Sequence, residues 1–270
     1  MRDSPTLLFR SVPPVAMQHL FLSPHFDDVV GSCGGTIARL RDAGAAVRIH
    51  TVFGGDPQQP LPPPAVEMHR LWNLGDEPVR RRRAEDAEAC RRLGVLATAG
   101  SSRDALYRCS PDGHPLYPTE GARVGAIHPL DRPIAARLAR ALRERPEAAR
   151  TRHYFPLAIG GHVDHRILAR AGTIAHALGL RTAFYEDFWY RDRTPWRPVP
   201  GTRAVMFRFS ADHSRRKIEA LAAYRSQIAS LYEDDAAMVQ AMRRADGLPG
   251  EEGFAERYWL LRRIGSAAPK

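Results

Sequence analysis

The stretch Ser23-Pro24-His25-Phe26-Asp27-Asp28-Val29-Val30-Gly31-Ser32-Cys33-Gly34-Gly35 decides how the rest of the chain reads. Before it, His19-Leu20-Phe21-Leu22 is a short apolar run ending in a turn signal, which predicts a buried strand. After it, Thr36 to Ala43 carries apolar residues at helical spacing, and Gly44 supplies the stop. One imidazole and two adjacent carboxylates therefore fall where a strand hands over to a helix. In an open α/β sheet that is the edge where sites are built.

A second constellation lies far along the chain, at Gly160-Gly161-His162-Val163-Asp164-His165. It follows a strand-like run, His153 to Ile159, and precedes a helical pattern through Ile167, Leu168, Ala171, Ile174, Ala175 and Leu178. A catalytic zinc site takes three protein ligands from His, Asp and Glu and leaves a fourth position open. His25, Asp28 and His165 can supply the three, leaving Asp27 and His162 for proton transfer and charge stabilisation. The alternative is that all five are capping and turn residues, since Asp and Asn-like side chains favour helix starts. Two such motifs, both at strand ends, weigh against it.

The pair of motifs resembles the PIG-L/LmbE-like zinc-dependent N-deacetylases. Those proteins open on Pro-His-Pro-Asp-Asp-Glu with a Gly-rich helix start, matched here from Pro24 to Gly35, and carry a later His-x-x-His, matched by His162 and His165. The resemblance implies zinc on His25, Asp28 and His165, Asp27 as general base, and His162 facing the reaction intermediate. Phe26 and Val29 replace the usual Pro and Glu, and neither position is a ligand. Some members carry a Tyr two residues before the first later His; here that residue is Gly160. Further likenesses, to one subfamily, lie at Asp104-Ala105-Leu106-Tyr107-Arg108, at Tyr185-Glu186-Asp187, from Lys217 to Gln227 and at Ala255 to Trp259. The resemblance thus spans roughly Leu20 to Trp259.

With 270 residues and 44% apolar content, the chain can bury one large core. No run approaches a membrane span, and the start lacks a signal-peptide pattern, so a cytoplasmic protein is expected. Three widely spaced cysteines, Cys33, Cys90 and Cys109, make no disulfide framework. The net charge of +10 invites a nucleic-acid reading. However, the excess is arginine interleaved with Asp and Glu, and the four consecutive residues Arg80 to Arg83 are its densest run. No focused basic stripe or recognisable module is visible, so neither nucleic acid nor membrane is an expected partner.

The strand–helix–strand order continues with Ala46 to Phe53 and argues for parallel strands joined by right-handed crossovers. The expected fold is α/β and Rossmann-like: one domain with a mostly parallel sheet flanked by helices. Residues 1–18 read as a tail or extension and 19–265 as the deacetylase domain. Asp56 to Gly75, rich in proline, reads as an irregular loop beside the cleft. Arg80 to Leu93 reads as a helix with Ala84, Ala87, Cys90 and Leu93 on its apolar stripe. His213 to Tyr232 reads as one long amphipathic helix.

Around the metal, the resemblance implies that Arg82 approaches the substrate; the plainer alternative is a surface pair with Glu85. Asp104 and Arg108 are candidate substrate contacts, with a structural pair as the equal alternative. Asp164, Glu186 and Asp187 are candidates to orient an imidazole from behind. The expected activity is hydrolysis of the N-acetyl group of a GlcNAc-type glycoside, a natural-product or thiol-cofactor intermediate. It would use one Zn2+ per chain, or another divalent transition metal in its place. Two alternatives keep the fold: an amidase acting on another amide such as a thiol S-conjugate, and a zinc-retaining sugar-binding protein without turnover. A homo-oligomer is compatible with the sequence.

Overall fold

The computed structural model describes residues 17–72, 77–191, 194–197, 201–248 and 253–262. Most of the expected extension, residues 1–18, lies outside them; Gln18 is already the first residue of the sheet. In chain order the first half runs β1 (Gln18–Ser23), α1 (Asp28–Asp42), β2 (Ala46–Thr51), α2 (Pro63–Trp72), α3 (Pro78–Leu93), β3 (Leu96–Ala99) and the short α4 (Glu120–Arg123). Then come α5 (Arg132–Arg143), β4 (Thr151–Pro156), α6 (Val163–Ala177), β5 (Arg181–Tyr185) and α7 (Phe188–Arg191). The chain closes with β6 (Thr202–Phe209), α8 (Ala211–Leu221), α9 (Arg225–Leu231), α10 (Asp235–Asp246) and β7 (Phe254–Leu261).

The seven strands lie in the order β3-β2-β1-β4-β5-β7-β6. The first five are parallel, and β7 pairs antiparallel with both β5 and β6. This is the mostly parallel α/β sheet expected. The alternation of β1 shows why it is covered on both faces. Phe21 packs with Ile37, Ile49 and Leu93 beneath α1 and α3. Leu20 and Leu22 pack with Phe155, Ile167 and Leu168 beneath α5 and α6. Strand order reverses between β1 and β4, so the carboxyl ends of these two strands open a crevice at the switch point. Both histidine motifs leave the sheet there.

The glycines that start α1 allow close approach. A Cβ on Gly35 would fall 2.3 Å from the Phe209 ring, and one on Gly34 would fall 2.6 Å from Lys217. Lys217 is buried and donates to Asp246 and Glu256, while Glu256 accepts the backbone N–H groups of Gly35 and Thr36. The C-terminal strands are thereby tied to the helix that begins at the first motif.

Three expectations need correction. Residues 63–72 of the proline-rich segment are helical, because Pro63 and Pro64 stand in the first turn, where a missing N–H costs nothing. Residues 73–75 of that segment lie outside the described residues. The single helix over 213–232 is two, α8 and α9, separated at Ala222 to Tyr224. The buried stripe of α3 is Val79, Arg82, Asp86, Ala89, Cys90 and Leu93; Ala84 and Ala87 are exposed. Two polar residues stand in that stripe, and they belong to the site. Among the described residues no helix is long and apolar enough to cross a membrane.

Candidate active site

The hand-over from β1 to α1 is not smooth. Asp27, the residue before the helix, has φ +91°, a conformation a non-glycine residue adopts only when its surroundings enforce it. Its backbone N–H is held by Asp86 of α3, which also accepts from the Tyr224 hydroxyl at 2.6 Å. Ser23 fastens the same turn, donating to the His25 carbonyl and accepting from the Val29 N–H. The turn leaves Asp27 and Asp28 both buried, at 7% and 4% exposure. A second tight turn precedes α6, with Ala158, Gly160 and Gly161 at positive φ. Ile159 N–H is anchored there on Asp187 Oδ2 at 2.9 Å.

These turns bring five side chains together, and hydrogen bonds fix the tautomer of each imidazole. His25 Nε2 donates to Asp164 Oδ2 at 2.9 Å, which leaves its Nδ1 as the lone-pair nitrogen. His165 Nδ1 donates to Asp187 Oδ1 at 2.6 Å, which leaves its Nε2 likewise. Both lone-pair nitrogens face one oxygen: Asp28 Oδ2 is 3.4 Å from His25 Nδ1 and 3.3 Å from His165 Nε2. Two ligands of a tetrahedral zinc at about 2.0–2.1 Å are about 3.3–3.4 Å apart. His165 Nε2 is also buried without a hydrogen-bond partner. An orphaned nitrogen at that spacing, backed by a carboxylate, is what a zinc ligand requires. The donor set fits the ion.

His162 caps α6: its Nδ1 accepts the Asp164 N–H at 3.2 Å. The ring proton therefore sits on Nε2 and the ring is neutral. Burial and the neighbouring His25 pull its pKa down to about 4, in the same direction. His162 is thus a neutral N–H donor. His25, His162 and His165 present ring nitrogens within 4.8 Å of one another.

Charge around the centre is strongly partitioned. Burial and the adjacent Asp28 push the Asp27 carboxyl up to about 8, against the pull of Arg82. Burial acts the same way on Asp28, but His165 and His25, which the surrounding carboxylates keep protonated where no ion holds their near nitrogens, hold it far below the ordinary carboxylate range. Arg82 is no surface partner of Glu85. It is 9% exposed, stands 3.9 Å from Asp27 Oδ2, donates to the Phe26 carbonyl, and has the Trp72 ring 5.3 Å from its guanidinium. Glu85 instead accepts from the N–H and hydroxyl of Ser226.

The remaining candidates separate by contact. Asp104 holds the Leu106 N–H and stands 3.4 Å from His25 Nε2, on the wall of a small opening. That opening is lined also by Phe53, Val79, Arg82 and Tyr107 and encloses about 10 Å³, roughly room for one water. Arg108 is not turned towards it. Its guanidinium is taken up by Asp131, Asp164 and the Arg103 carbonyl, so it acts from behind. Asp164 holds His25, and Asp187 holds His165. Glu186 holds neither: it accepts from Trp259 and Arg257 and ties β5 to β7.

Three residues escaped the sequence reading of the site. Asp86 shares a helix face with Arg82, and a charged pair on a stripe with Ala89, Cys90 and Leu93 was the signal available. Asp131 receives Arg108 and the Tyr117 hydroxyl, with no local pattern to mark it. Tyr190 lies edge-on to His165, with ring centroids 5.7 Å apart. Its ring fills the space over Gly160, where an added Cβ would come within 2.5 Å. The position that lacks a tyrosine is therefore covered by one from α7.

Residues 20–176 match the family model described as PIG-L, GlcNAc-PI de-N-acetylase. The chain is 32% identical over 254 residues to the 2'-N-acetylparomamine deacetylase of Niallia circulans, covering 89% of this chain and 90% of that protein. Among solved structures it resembles the zinc-inhibited form of teicoplanin deacetylase Orf2, at 28% identity and a TM-score of 0.81, over 93% of this chain and 100% of that one. It also resembles Dbv21, a deacetylase of the A40926 pseudoaglycone, at 25% identity and a TM-score of 0.71, over 93% and 99% of the two chains.

Proposed function

This chain belongs to the PIG-L de-N-acetylase family, and from that premise we propose how its site hydrolyses the amide of an N-acetyl amino sugar to acetate and a free amine. One observation carries the reading. Two imidazoles, each held by a carboxylate on its far nitrogen, turn their near nitrogens to the same oxygen of Asp28. His25, Asp28 and His165 are the residues that hold the ion. Zinc supplies Lewis acidity there, lowering the pKa of water to about 7 and polarising the amide carbonyl.

Asp27 takes the proton of the attacking water and returns one to the leaving nitrogen. Its surroundings suit both halves of that task. Arg82 favours the carboxylate that must accept the proton, while burial and Asp28 make the carboxyl retain it until the amine departs. His162, with its proton on Nε2, donates to the oxygen on which negative charge develops, and a neutral donor needs no change of charge to do so. Asp164 and Asp187 keep His25 and His165 in the tautomers that bind metal. Arg108 holds Asp164 in place, and Arg82 and Asp104 at the opening are assigned to the sugar hydroxyls.

Residues 19–265 form the catalytic unit in this reading. The substrate is assigned as an N-acetylglucosaminyl-type glycoside from a biosynthetic pathway, which the relatives named above support. The test is release of free amine from a panel of such glycosides by zinc-loaded protein, with Asp27→Asn as the blank. Turnover that disappears in the variant and on chelation is expected. A panel with no turnover, from protein that retains one zinc per chain, would remove the sugar assignment.

A further inference from the structure

The arginine excess looks dispersed along the sequence, yet folding gathers part of it at the edge of the sheet opposite the active site. Arg152 on β4 and Arg181 on β5 are direct register partners, so both side chains leave the same face. β7 pairs with β5 through Phe184–Trp259 and Tyr185–Tyr258, and Arg262 follows directly on its last residue, Leu261. Arg203 on β6 faces Leu260, two residues before Arg262 and on the same side. These four arginines line one cleft of about 780 Å³. That volume is in the range of small-molecule sites.

Two features make this more than a solvated face. Among the described residues, none of the four guanidinium groups enters an ion pair, so no carboxylate offsets their charge in the cleft. Like charges directly opposed on neighbouring strands also destabilise a sheet, and here Arg152 and Arg181 stand opposed on β4 and β5, with Arg262 on the same cleft just past the end of β7. The arrangement stores repulsion that a multivalent anion would relieve. Neighbouring strands are about 4.8 Å apart, so one oxyanion can sit between two guanidinium forks, and three forks offer two such places.

We propose that this cleft is a binding site for a small diphosphate group, with Arg152, Arg181 and Arg262 spanning the two phosphoryl positions and Arg203 closing one side. It is separate from the deacetylase centre. Arg152 lies four residues before the carboxyl end of β4, about 13 Å along the strand, and the histidines lie beyond that end. A ligand in the cleft therefore does not occupy the zinc site.

The test is equilibrium dialysis of radiolabelled inorganic pyrophosphate against the zinc-loaded full chain at low ionic strength. The expected result is saturable binding of one pyrophosphate per chain, weakened at least tenfold in the Arg152→Ala/Arg181→Ala double variant and unchanged in Asp28→Asn. Because the substitutions remove opposed charges, the double variant is also expected to melt higher than the parent without ligand, which guards against a trivial loss of fold. A nucleoside diphosphate that competes better than pyrophosphate identifies the source as an esterified diphosphate, and weaker competition identifies the free anion; both sustain the site. Binding lost in Asp28→Asn would place the anion on the metal centre and overturn the proposal. So would binding indifferent to the arginine substitutions, or a cleft that takes duplex oligonucleotide but not pyrophosphate.

Discussion

Asp27 combines a strained backbone with a proton that the fold holds tightly, and the two can be separated. Asparagine tolerates positive φ nearly as well as aspartate, so Asp27→Asn keeps the turn while removing the base. The expected loss in kcat is about 10²–10⁴-fold with zinc content unchanged. The same variant has a stability signature in metal-free protein. The folded state keeps the Asp27 proton up to about 8, while the unfolded chain releases it near 3.8. The folded state thus binds more protons between those values, and this residue erodes stability as pH rises through that window. Chelated Asp27→Asn should therefore melt higher than chelated parent, with a gap that widens from about pH 4 to pH 8; a constant gap in calorimetry would disprove the linkage. Gly160 offers a second test. Alanine there meets the Tyr190 ring at 2.5 Å as well as a φ of +83°, whereas Gly179 has the same φ and nothing within 4 Å. Gly160→Ala is expected to lower kcat through displaced Tyr190, and Gly179→Ala to show only the backbone cost of about 1–3 kcal/mol.

At the scale of elements, the break between α8 and α9 is where the C-terminal half reaches the site. Tyr224 stands at that break, fully buried, and its hydroxyl supports the carboxylate that holds the Asp27 N–H. Tyr224→Phe leaves Asp86 short of a partner in a buried position, at a cost of about 1–3 kcal/mol. In a chain of this size that lowers Tm by about 2–4 °C per kcal/mol. A kcat that falls while zinc stoichiometry holds would show that the helix break serves the turn; unchanged kcat and Tm would refute it. This dependence also explains what could be read in advance. The central strands and α1, α5 and α6 follow from local period and stop signals, and the five residues at the strand ends were marked by the two motifs taken together and by their resemblance to the deacetylase family. The break at Ala222 to Tyr224 does not, since nothing in its sequence opposes a continuous helix; the contact across to α3 decides it. The buried polar stripe of α3 was misread for the same reason, because Arg82 and Asp86 face inward on account of partners distant in sequence, Asp27 and Phe26 for the one and Asp27 and Tyr224 for the other. The edge strand β3, four residues long and largely exposed, is too short to set a period of its own.

Over the whole molecule, the site joins two halves that are distant in sequence. His25 leaves β1 and His165 opens α6 after β4, and the sheet sets these strands side by side at its switch point. Without metal the junction holds a buried imidazole nitrogen that lacks a partner and two adjacent carboxylates, one of them raised far above its ordinary range. Zinc satisfies that nitrogen and offsets the carboxylate charge, so binding and folding are coupled. With free zinc at about a thousand times its Kd, linkage alone contributes about 4 kcal/mol. At about 2–4 °C per kcal/mol, chelation should lower Tm by about 8–16 °C. His165→Ala removes the ligand and with it most of that difference, and its Tm should be nearly indifferent to chelator. Arg203→Ala, on the opposite edge of the sheet, should keep the full zinc-dependent shift. Calorimetry of the three proteins with and without chelator decides the matter: a parent whose Tm ignores zinc would mean that the two strand ends are held by protein contacts alone, and the ion would then serve chemistry without serving the fold.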